Sequence, residues 1–439
     1  MCTPIGVQVT PPNADLIEYL TGKTMGMTIR LIFRTGIGMP AIGPTLIRYL
    51  FRSSNDAGQP MHRDMVVDRA TCAGSEILTK GSLLMTNVTR TSTSHYEVQK
   101  KRRAQFIEDW RNNRQTVIRL EDVDMQPTDR GLISGGYIGP DADRPTRTMD
   151  AAVHEIPPGV TSSIHRHSWD AMMYCVGGSG WTEIDGVRIN WAPGDCLHLP
   201  AWAWHRHGNE GDSTSRYMSF SSEPFIEILG FAILEDGGNT SVAELPGRPP
   251  FTSAMAGNDP YARRVRRLAS EQEARRSGRL HTSWDELQFL QTPRGTRTTF
   301  LLDRATGYQA SGITMAMFEI GPGRQQSMHR HPGEAWLYVV EGKGHSFLGT
   351  EPDKGENHPW KKGDLIIVDH FLWHQHINDD PENSAKVVRI HMFDTVLETM
   401  RALCDPLVLF EEPPDHIRNA QAGDINTIVW PEVRRPTWP

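Results

Sequence analysis

From about residue 150 onward, the chain consists of short hydrophobic runs separated by Gly, Asp and Pro. The runs AAVHEIPPG, AMMYCVGGSGWTEIDG and VRINWAPGDCLHLP are followed farther along by TMAMFEIGPG, AWLYVVEGKGHSFLG and DLIIVDHFLWHQHI. Many short strands at regular spacing are typical of a β-sandwich or β-barrel. Two charged segments, EVQKKRRAQFIEDWRNNR and RRVRRLASEQEARRSGR, are rich in good helix formers, and each precedes one set of runs. The pattern therefore predicts an all-β-dominated protein in which two strand-rich halves each follow a helix.

The two halves are related by an internal duplication. Arg130-Gly131 recurs as Arg294-Gly295, at an offset of 164 residues. Later landmarks are shifted by 169 residues, because the second copy carries the longer loop LGTEPDKGENHPW. The other matched landmarks include Gly159, His165 and His167 with Gly323, His329 and His331, and Trp204-His205 and His207 with Trp373-His374 and His376.

The duplication divides the chain into predicted segments. We expect domains over residues 95–240 and 259–405, joined by a Gly- and Pro-rich linker over 241–258. Residues 1–90 have no counterpart in the repeat and no sustained period, so they are expected to form a poorly ordered extension. Residues 406–439 carry paired prolines and are expected to be a tail that packs on a domain surface.

Composition narrows the functional classes. A formal net charge of -7 on 439 residues argues against a nucleic-acid-binding surface. The most apolar early region is interrupted by Arg30, Arg34 and Arg48, which excludes an ordinary membrane span. Five scattered cysteines without a CxxC pair, and an N-terminus without a secretory signal pattern, favour a cytoplasmic location. The glycines of GGSG and EGKG have no following Lys-Ser/Thr, so they are read as turns, and no organic cofactor is expected.

The recurring histidines are the candidate chemistry. Residues i and i+2 of a strand point to the same face, so His165 and His167 should project together, with Arg166 on the opposite side. His205, about 40 residues farther on, is the predicted third ligand of a first-row metal. His329, His331 and His374 repeat the arrangement. Three histidines leave coordination positions open, which is typical of a catalytic site and suits iron, zinc, copper or nickel.

These motifs resemble the two signature motifs of the cupin superfamily. The first, G(x)5HxH(x)3–4E(x)6G, is matched by Gly159, His165, His167 and Gly178, and again by Gly323, His329, His331 and Gly342. The second, G(x)5PxGxxH(x)3N, is matched by Gly194, Pro200, His205 and Asn209, and in the later copy by Gly363, His374 and Asn378, with Asp369 in place of proline. The resemblance implies two tandem double-stranded β-helix (jelly-roll) domains with the metal inside each barrel.

Both copies depart from the cupin pattern at its glutamate. Ala171 or Met172 stands there in the first copy, and Ala335 or Trp336 in the second. The acidic residues Asp170 and Glu334 sit one position earlier, where regular strand parity would turn them away from the metal. We therefore keep Asp170 and Glu334 as candidate site residues, either as additional ligands or in a polar role beside the ligands or on the surface.

A three-histidine bicupin without this glutamate resembles the gentisate, salicylate and 1-hydroxy-2-naphthoate dioxygenases. The resemblance implies an Fe(II) enzyme that cleaves the ring of a small aromatic hydroxy or amino acid with O2, and that forms a homo-oligomer. Mn, Ni, Cu or Zn are the alternative metals. A metal-dependent isomerase, hydrolase or decarboxylase, or a non-enzymatic cupin that binds a small ligand, are the alternative functions.

Two further pairs of residues are candidates for the reaction. Ring-cleaving relatives usually carry an arginine six residues after HxH that holds the substrate carboxylate, but Met173 and Leu337 stand at that position here. Arg216 or Arg389 would then take this role, or the substrate differs. His207 and His376 share a strand face with a ligand histidine, so they are candidate acid/base groups or residues of the barrel rim. The sequence does not choose between these readings.

Overall fold

The computed structural model describes residues 95–247, 257–310, 312–331, 333–392 and 427–439, together with the backbone of four strands before residue 68. The chain divides into two compact units, Met1–Glu108 and Asp109–Pro439. In the first unit the four strands form one antiparallel sheet in chain order. These strands are β1 (Ile17–Thr24), β2 (Met27–Arg34), β3 (Ile47–Ser54) and β4 (Pro60–Val67). The expected disorder of 1–90 stays a prediction, since the rest of that range lies outside the described residues.

Three helices are described. They are α1 (His95–Asn112), α2 (Glu223–Ile228) and α3 (Pro260–Arg276). The sequence Asn-Asp-Pro before α3 is a start signal: the Asp259 side chain accepts hydrogen bonds from the backbone N–H groups of Tyr261 and Ala262, and Pro260 occupies the first turn. No described helix is long and apolar enough to cross a bilayer.

The first copy contains two antiparallel sheets. Its strands are β5 (Val117–Ile118), β6 (Gln126–Pro127), β7 (Ile133–Ile138), β8 (Asp150–Ile156), β9 (Ile164–His167), β10 (Ala171–Gly177), β11 (Gly180–Ile184), β12 (Val187–Trp191), β13 (Cys196–Leu199), β14 (His205–Gly208), β15 (Ser215–Ser221) and β16 (Leu234–Gly238). The smaller sheet has the order β12-β11-β14-β9-β16. It carries the histidine strands β9 and β14 side by side.

The second copy repeats this arrangement. Its strands are β17 (His281–Thr282), β18 (Leu290–Gln291), β19 (Thr296–Leu302), β20 (Thr314–Ile320), β21 (Ala335–Glu341), β22 (Lys343–Glu351), β23 (Lys354–Lys361), β24 (Leu365–Val368), β25 (Trp373–Asn378) and β26 (Ala385–His391). The smaller sheet is β23-β22-β25. The larger sheet has seven strands in the order β18-β19-β20-β26-β21-β24-β5, and the larger sheet of the first copy is β17-β13-β10-β15-β8-β7-β6.

The two copies exchange short edge strands. β5, which precedes the first copy, pairs with β24 of the second, and β17, which precedes the second copy, pairs with β13 of the first. The registers Ile118↔Leu365 and Thr282↔Cys196 are related by the same offsets as the sequence repeat. The duplication therefore appears in three dimensions as a reciprocal strand exchange between the halves.

The larger sheets are buried on both faces, which explains their continuous hydrophobic runs. On β10, Met172 and Tyr174 belong to a core cluster that also contains Met317 and Tyr338 of the second copy. The rings of Tyr174 and Tyr338 meet edge-to-face at 6.4 Å. The alternate residue Met173 points the other way, into a separate core cluster of the first barrel. The mostly β fold with two halves, predicted from the sequence, is confirmed.

The described end of the tail contacts both halves. Arg435 donates to the carbonyl of Pro193 at 3.0 Å and pairs with Asp285 at 2.6 Å. Lys362 of the second copy donates to the Thr437 hydroxyl at 2.8 Å. Residues 427–439 thus lie against the turns that lead into β13 and β24. The other tail residues, 406–426, lie outside the described residues.

Candidate metal centres

The first histidine set is assembled by two neighbouring strands. β14 pairs with β9 so that His205 lies opposite His165, and His167 shares the face of His165. The ligand nitrogens of these three residues lie within 4.8 Å of one another, and all three side chains are buried. Arg166 points away, as predicted: its guanidinium lies over the rings of Trp202 and Trp204 and pairs with Glu235.

The second histidine set has the same construction. His329 and His374 are cross-strand partners, and the ligand nitrogens of His329, His331 and His374 again lie within 4.8 Å of one another. Arg330 lies over the Trp373 ring, as Arg166 lies over Trp204 in the first copy. The protein therefore has two buried three-histidine metal sites.

Backbone carbonyls orient most of the ligand imidazoles. Nδ1 of His167 donates to the Trp169 carbonyl at 2.7 Å, and Nδ1 of His205 donates to the Ala203 carbonyl at 2.8 Å. In the second site, Nδ1 of His329 and His374 donate to carbonyls at 3.0 and 2.8 Å. Such bonds fix the tautomer and leave the Nε2 lone pair for a metal ion. The donor sets therefore fit a divalent first-row cation.

Burial keeps these imidazoles neutral. It lowers the pKa of His167 and of His374 to about 4 each, and it holds the pKa values of His205 and His329 well below the ordinary range. A metal ligand must be neutral imidazole, so the sites are in the binding-competent protonation state at neutral pH.

The two sites differ at His165. Arg130 places Nη1 3.0 Å from Nε2 of His165 and donates from Nη2 to the Ser163 carbonyl at 3.3 Å. Arg294, the counterpart of Arg130 in the repeat, instead borders a cavity at the second site. A guanidinium in contact with the metal-binding nitrogen opposes a cation there, so the first site is electrostatically less favourable for metal.

His207 and His376 are buried beside the ligands in matching environments. Nδ1 of His207 lies 3.0 Å from the Thr182 hydroxyl, which also accepts from Trp191. In the second copy, His376, Ser346 and Trp360 repeat these contacts. Burial holds the pKa of both histidines well below its ordinary value, so both are neutral. Neither is a rim residue, and whether either moves a proton stays a prediction.

Asp170 and Glu334 are buried but lie outside the ligand sets among the described residues. Asp170 accepts a hydrogen bond from the Ala201 amide at 2.9 Å and lies 3.2 Å from His198. Glu334 forms an ion pair with Arg114 and accepts from the Thr148 hydroxyl. Their contacts hold the turns after the HxH strands, in line with the strand parity inferred from the sequence.

The two candidate arginines have different fates. Arg216 pairs with Glu155 at 2.6 Å and lies over the Trp438 ring, on the face of β15 opposite Tyr217. That position corrects the suggestion that Arg216 holds a substrate carboxylate, because strand parity turns it away from the histidines. Arg389 lies on β26 and borders the second-site cavity. It is placed where the suggestion requires.

The second site opens into a cavity of about 220 Å³. Three kinds of side chain line it: the ligand histidines with His376, the arginines Arg294 and Arg389, and apolar groups including Phe318 and Leu337. Trp336 is fully buried in the core, so it does not wall the cavity as an aromatic platform.

Sequence reasoning missed several neighbours of the sites. Arg130 and Arg294 were visible as a repeated Arg-Gly pair, yet the repeat alone gave them no chemical role. His391 packs edge-on against His331 with ring centroids 4.8 Å apart, and no motif marks it. In the first barrel, His154 stacks on Tyr217 at 4.8 Å. Each comes from the larger sheet, whose pairing across the barrel is not written in local spacing.

Comparisons with known proteins agree with this architecture. The family described as "Cupin domain" matches residues 152–221 and 316–391. The chain is 23% identical to 5-aminosalicylate 1,2-dioxygenase of Comamonas sp over 293 residues, 62% of this chain and 75% of that protein. It is 24% identical to 1-hydroxy-2-naphthoate 1,2-dioxygenase of Nocardioides sp. (strain KP7), over 64% of this chain and 70% of that protein. A crystal structure of salicylate 1,2-dioxygenase from Pseudoaminobacter salicylatoxidans aligns with TM-score 0.46 and 16% identity, covering 72% of this chain and 94% of that one.

Proposed function

We propose that this chain, which carries two tandem cupin domains and is distantly homologous to gentisate, 5-aminosalicylate, 1-hydroxy-2-naphthoate and salicylate 1,2-dioxygenases, is itself an Fe(II)-dependent ring-cleaving dioxygenase. Its substrate is a small aromatic hydroxy or amino acid. The observation that carries the proposal is the composition of the two sites: three buried neutral histidines each, with no carboxylate among the described ligands. Such a set leaves the charge of a divalent metal uncompensated and so favours an anionic, chelating substrate.

The reaction needs no external reductant. One O2 is consumed per aromatic acid, both oxygen atoms enter the organic product, and one ring C–C bond is broken. Fe(II), when bound by the histidine sets, supplies the redox chemistry between O2 and the ring, together with the open positions that a catalytic site requires.

The chain's own groups supply the rest of the site. The backbone carbonyls that accept from Nδ1 hold the ligand imidazoles in one tautomer. The barrel walls exclude water, which strengthens electrostatic interactions with a bound anion. His207 and His376, each held by a hydroxyl group, are neutral imidazoles next to the ligands and suit proton transfer to or from a substrate hydroxyl.

Metal content and O2 uptake test the proposal together. Protein purified anaerobically and reconstituted with Fe(II) is expected to retain iron and to consume O2 with at least one member of a panel of salicylate, gentisate, 5-aminosalicylate and 1-hydroxy-2-naphthoate. His165→Ala and His329→Ala should each remove metal from one site and leave the other loaded. A protein that retains only zinc and consumes no O2 with any of the four acids would instead favour a hydrolase, isomerase or decarboxylase on the same scaffold.

A further inference from the structure

The cavity of the second barrel is built for an anion. Arg389 and Arg294 both border it, on the same cavity as His329, His331 and His374. Burial, followed by the charge of Arg294, lowers the pKa of Arg389 to about 10, so both guanidiniums remain cationic at neutral pH. Two like charges beside one apolar-lined space are unfavourable unless a negative group joins them.

Arg389 has donor capacity left for such a group. Its Nε is buried and has no hydrogen-bond partner among the described residues. A buried donor without a partner costs about 1–3 kcal/mol, and this cost is relieved when an acceptor enters. The planar guanidinium presents parallel N–H groups that match the two oxygens of a carboxylate.

The first barrel lacks this arrangement at the equivalent positions. Ser219 takes the place of Arg389: each lies opposite the residue six positions after the HxH pair, Met173 or Leu337. The Ser219 hydroxyl is 2.8 Å from Nε2 of His154, whose Nδ1 is 2.7 Å from Ser134. The interior of the first barrel is therefore occupied by polar groups that already bond one another.

The difference extends to the neighbouring positions. Tyr217 of the first barrel stacks on His154 and lies 5.0 Å from the ring of His207, whereas Val387 and Phe318 hold the equivalent positions in the second. The second barrel thus combines smaller or apolar walls with two cations. Its cavity of about 220 Å³ is smaller than the roughly 300–1,000 Å³ of pockets for drug-sized ligands, which suits a single-ring acid.

We propose that the second cupin barrel binds the aromatic carboxylate, with Arg389 as the principal carboxylate partner and Arg294 as the second cation, facing the histidines of the same barrel. This placement rests on the proposed function for the reaction itself, but the anion site does not. The second barrel, rather than the first, is then the site of substrate binding and turnover.

Binding under anaerobic conditions tests the anion site apart from turnover. Titration of Fe(II)-loaded protein with salicylate, followed by calorimetry, is expected to show binding that Arg389→Met weakens about 10- to 100-fold, the effect of losing a hydrogen bond to a charged group. Arg389→Lys should recover part of the affinity. Salicylamide, which lacks the negative charge, should bind weakly and equally to wild type and Arg389→Met.

Arg216→Met is the matched control, because it removes an arginine that pairs with Glu155 away from both sites. It should bind salicylate as wild type does. Three results would each overturn the anion site: no salicylate or gentisate binding by wild type, wild-type affinity in Arg389→Met, or an equal loss in Arg216→Met.

O2 uptake by single-site variants separates this inference from the proposed function. We expect His329→Ala to abolish uptake and His165→Ala to retain it. Uptake that survives His329→Ala but not His165→Ala contradicts the placement in the second barrel and leaves the dioxygenase intact. Salicylate binding that depends on Arg389, without O2 uptake by wild type on any aromatic acid, contradicts the dioxygenase and leaves the anion site intact.

Discussion

The ligand histidines are the residues that the sequence predicts best, because an HxH pair on a strand has only one way to share a face. His165 and His167 meet His205 as strand parity requires. Parity also explains why Asp170 stays outside the described ligand set. It could not tell which arginine faces a barrel interior, since the strand bounds of β15 and β26 were not known in advance. Arg389 and Arg216 therefore looked equivalent, and only Arg389 borders a cavity.

Arg130 should weaken metal binding at the first site. Its guanidinium contacts Nε2 of His165, and a charge about 5 Å from a cation is worth about 1–3 kcal/mol at the effective dielectric of a protein. Arg130→Met is therefore expected to tighten metal binding at the first site roughly 10-fold or more, as measured by chelator competition on protein whose second site is removed by His329→Ala. Arg216→Met in the same background is the control. Unchanged or weaker binding in Arg130→Met would show that Arg130 supports the site.

Two glycines of the first barrel separate backbone strain from crowding. Gly178 and Gly186 have φ of +62° and +86°. A Cβ on Gly178 would lie 2.5 Å from the carbonyl oxygen of Thr214, whereas one on Gly186 would meet nothing within 4 Å. We expect Gly186→Ala to cost about 1–2 kcal/mol from its φ alone, and Gly178→Ala to cost about 2–5 kcal/mol because crowding adds to that strain. Urea denaturation midpoints measure the difference, and equal midpoints would contradict it.

At the scale of elements, the strand runs were predictable and the exchange between the copies was not. β10 and β21 read as strands because their hydrophobic runs are bounded by glycines and turns. β5 and β17 are two residues long, so no local pattern marks them as strands. Their position depends on pairing across more than 80 residues, for example Thr282 with Cys196. The sequence contained only their repeated spacing, Val117 to His281.

Asp195 holds the exchanged segment at the first barrel. It accepts hydrogen bonds from the backbone amide of Trp284 at 2.9 Å and from His281 at 3.2 Å, and Arg435 of the tail lies 3.3 Å away. Asp195→Asn should lower the free energy of unfolding by about 1–3 kcal/mol, since charge-assisted bonds to buried groups are lost. Asp212→Asn, at an exposed position, should have no such effect.

The Asp195 contribution should also depend on pH. Burial alone would raise the pKa of Asp195, but hydrogen bonds from His281, Trp284 and Ala192 outweigh it, and the pKa lies below its ordinary value. The stabilisation is then fully present above the unfolded pKa of about 3.9, and it is lost as pH falls through the folded value. Denaturation of wild type and Asp195→Asn should converge below about pH 3–4. A difference that persists undiminished at low pH would contradict this assignment.

At the scale of the whole molecule, one duplication has given two barrels with the same ligands and different interiors. The repeat predicts the shared features: the histidine sets, the paired Thr182 and Ser346 hydroxyls, and the exchanged strands. It cannot predict the differences, because Ser219 and Arg389 occupy equivalent positions in strands whose sequences have otherwise diverged. Fe(II), homo-oligomer formation and a cytoplasmic location stay predictions.

Incorporation of labelled oxygen tests the central claim most directly. Fe(II)-reconstituted protein, supplied with ¹⁸O₂ and the aromatic acid that supports O2 uptake, should yield a ring-opened product that carries both labelled atoms, as read by mass spectrometry. The His329→Ala variant should yield none. A product with one labelled atom or none, or turnover of the acid without O2, would contradict a ring-cleaving dioxygenase.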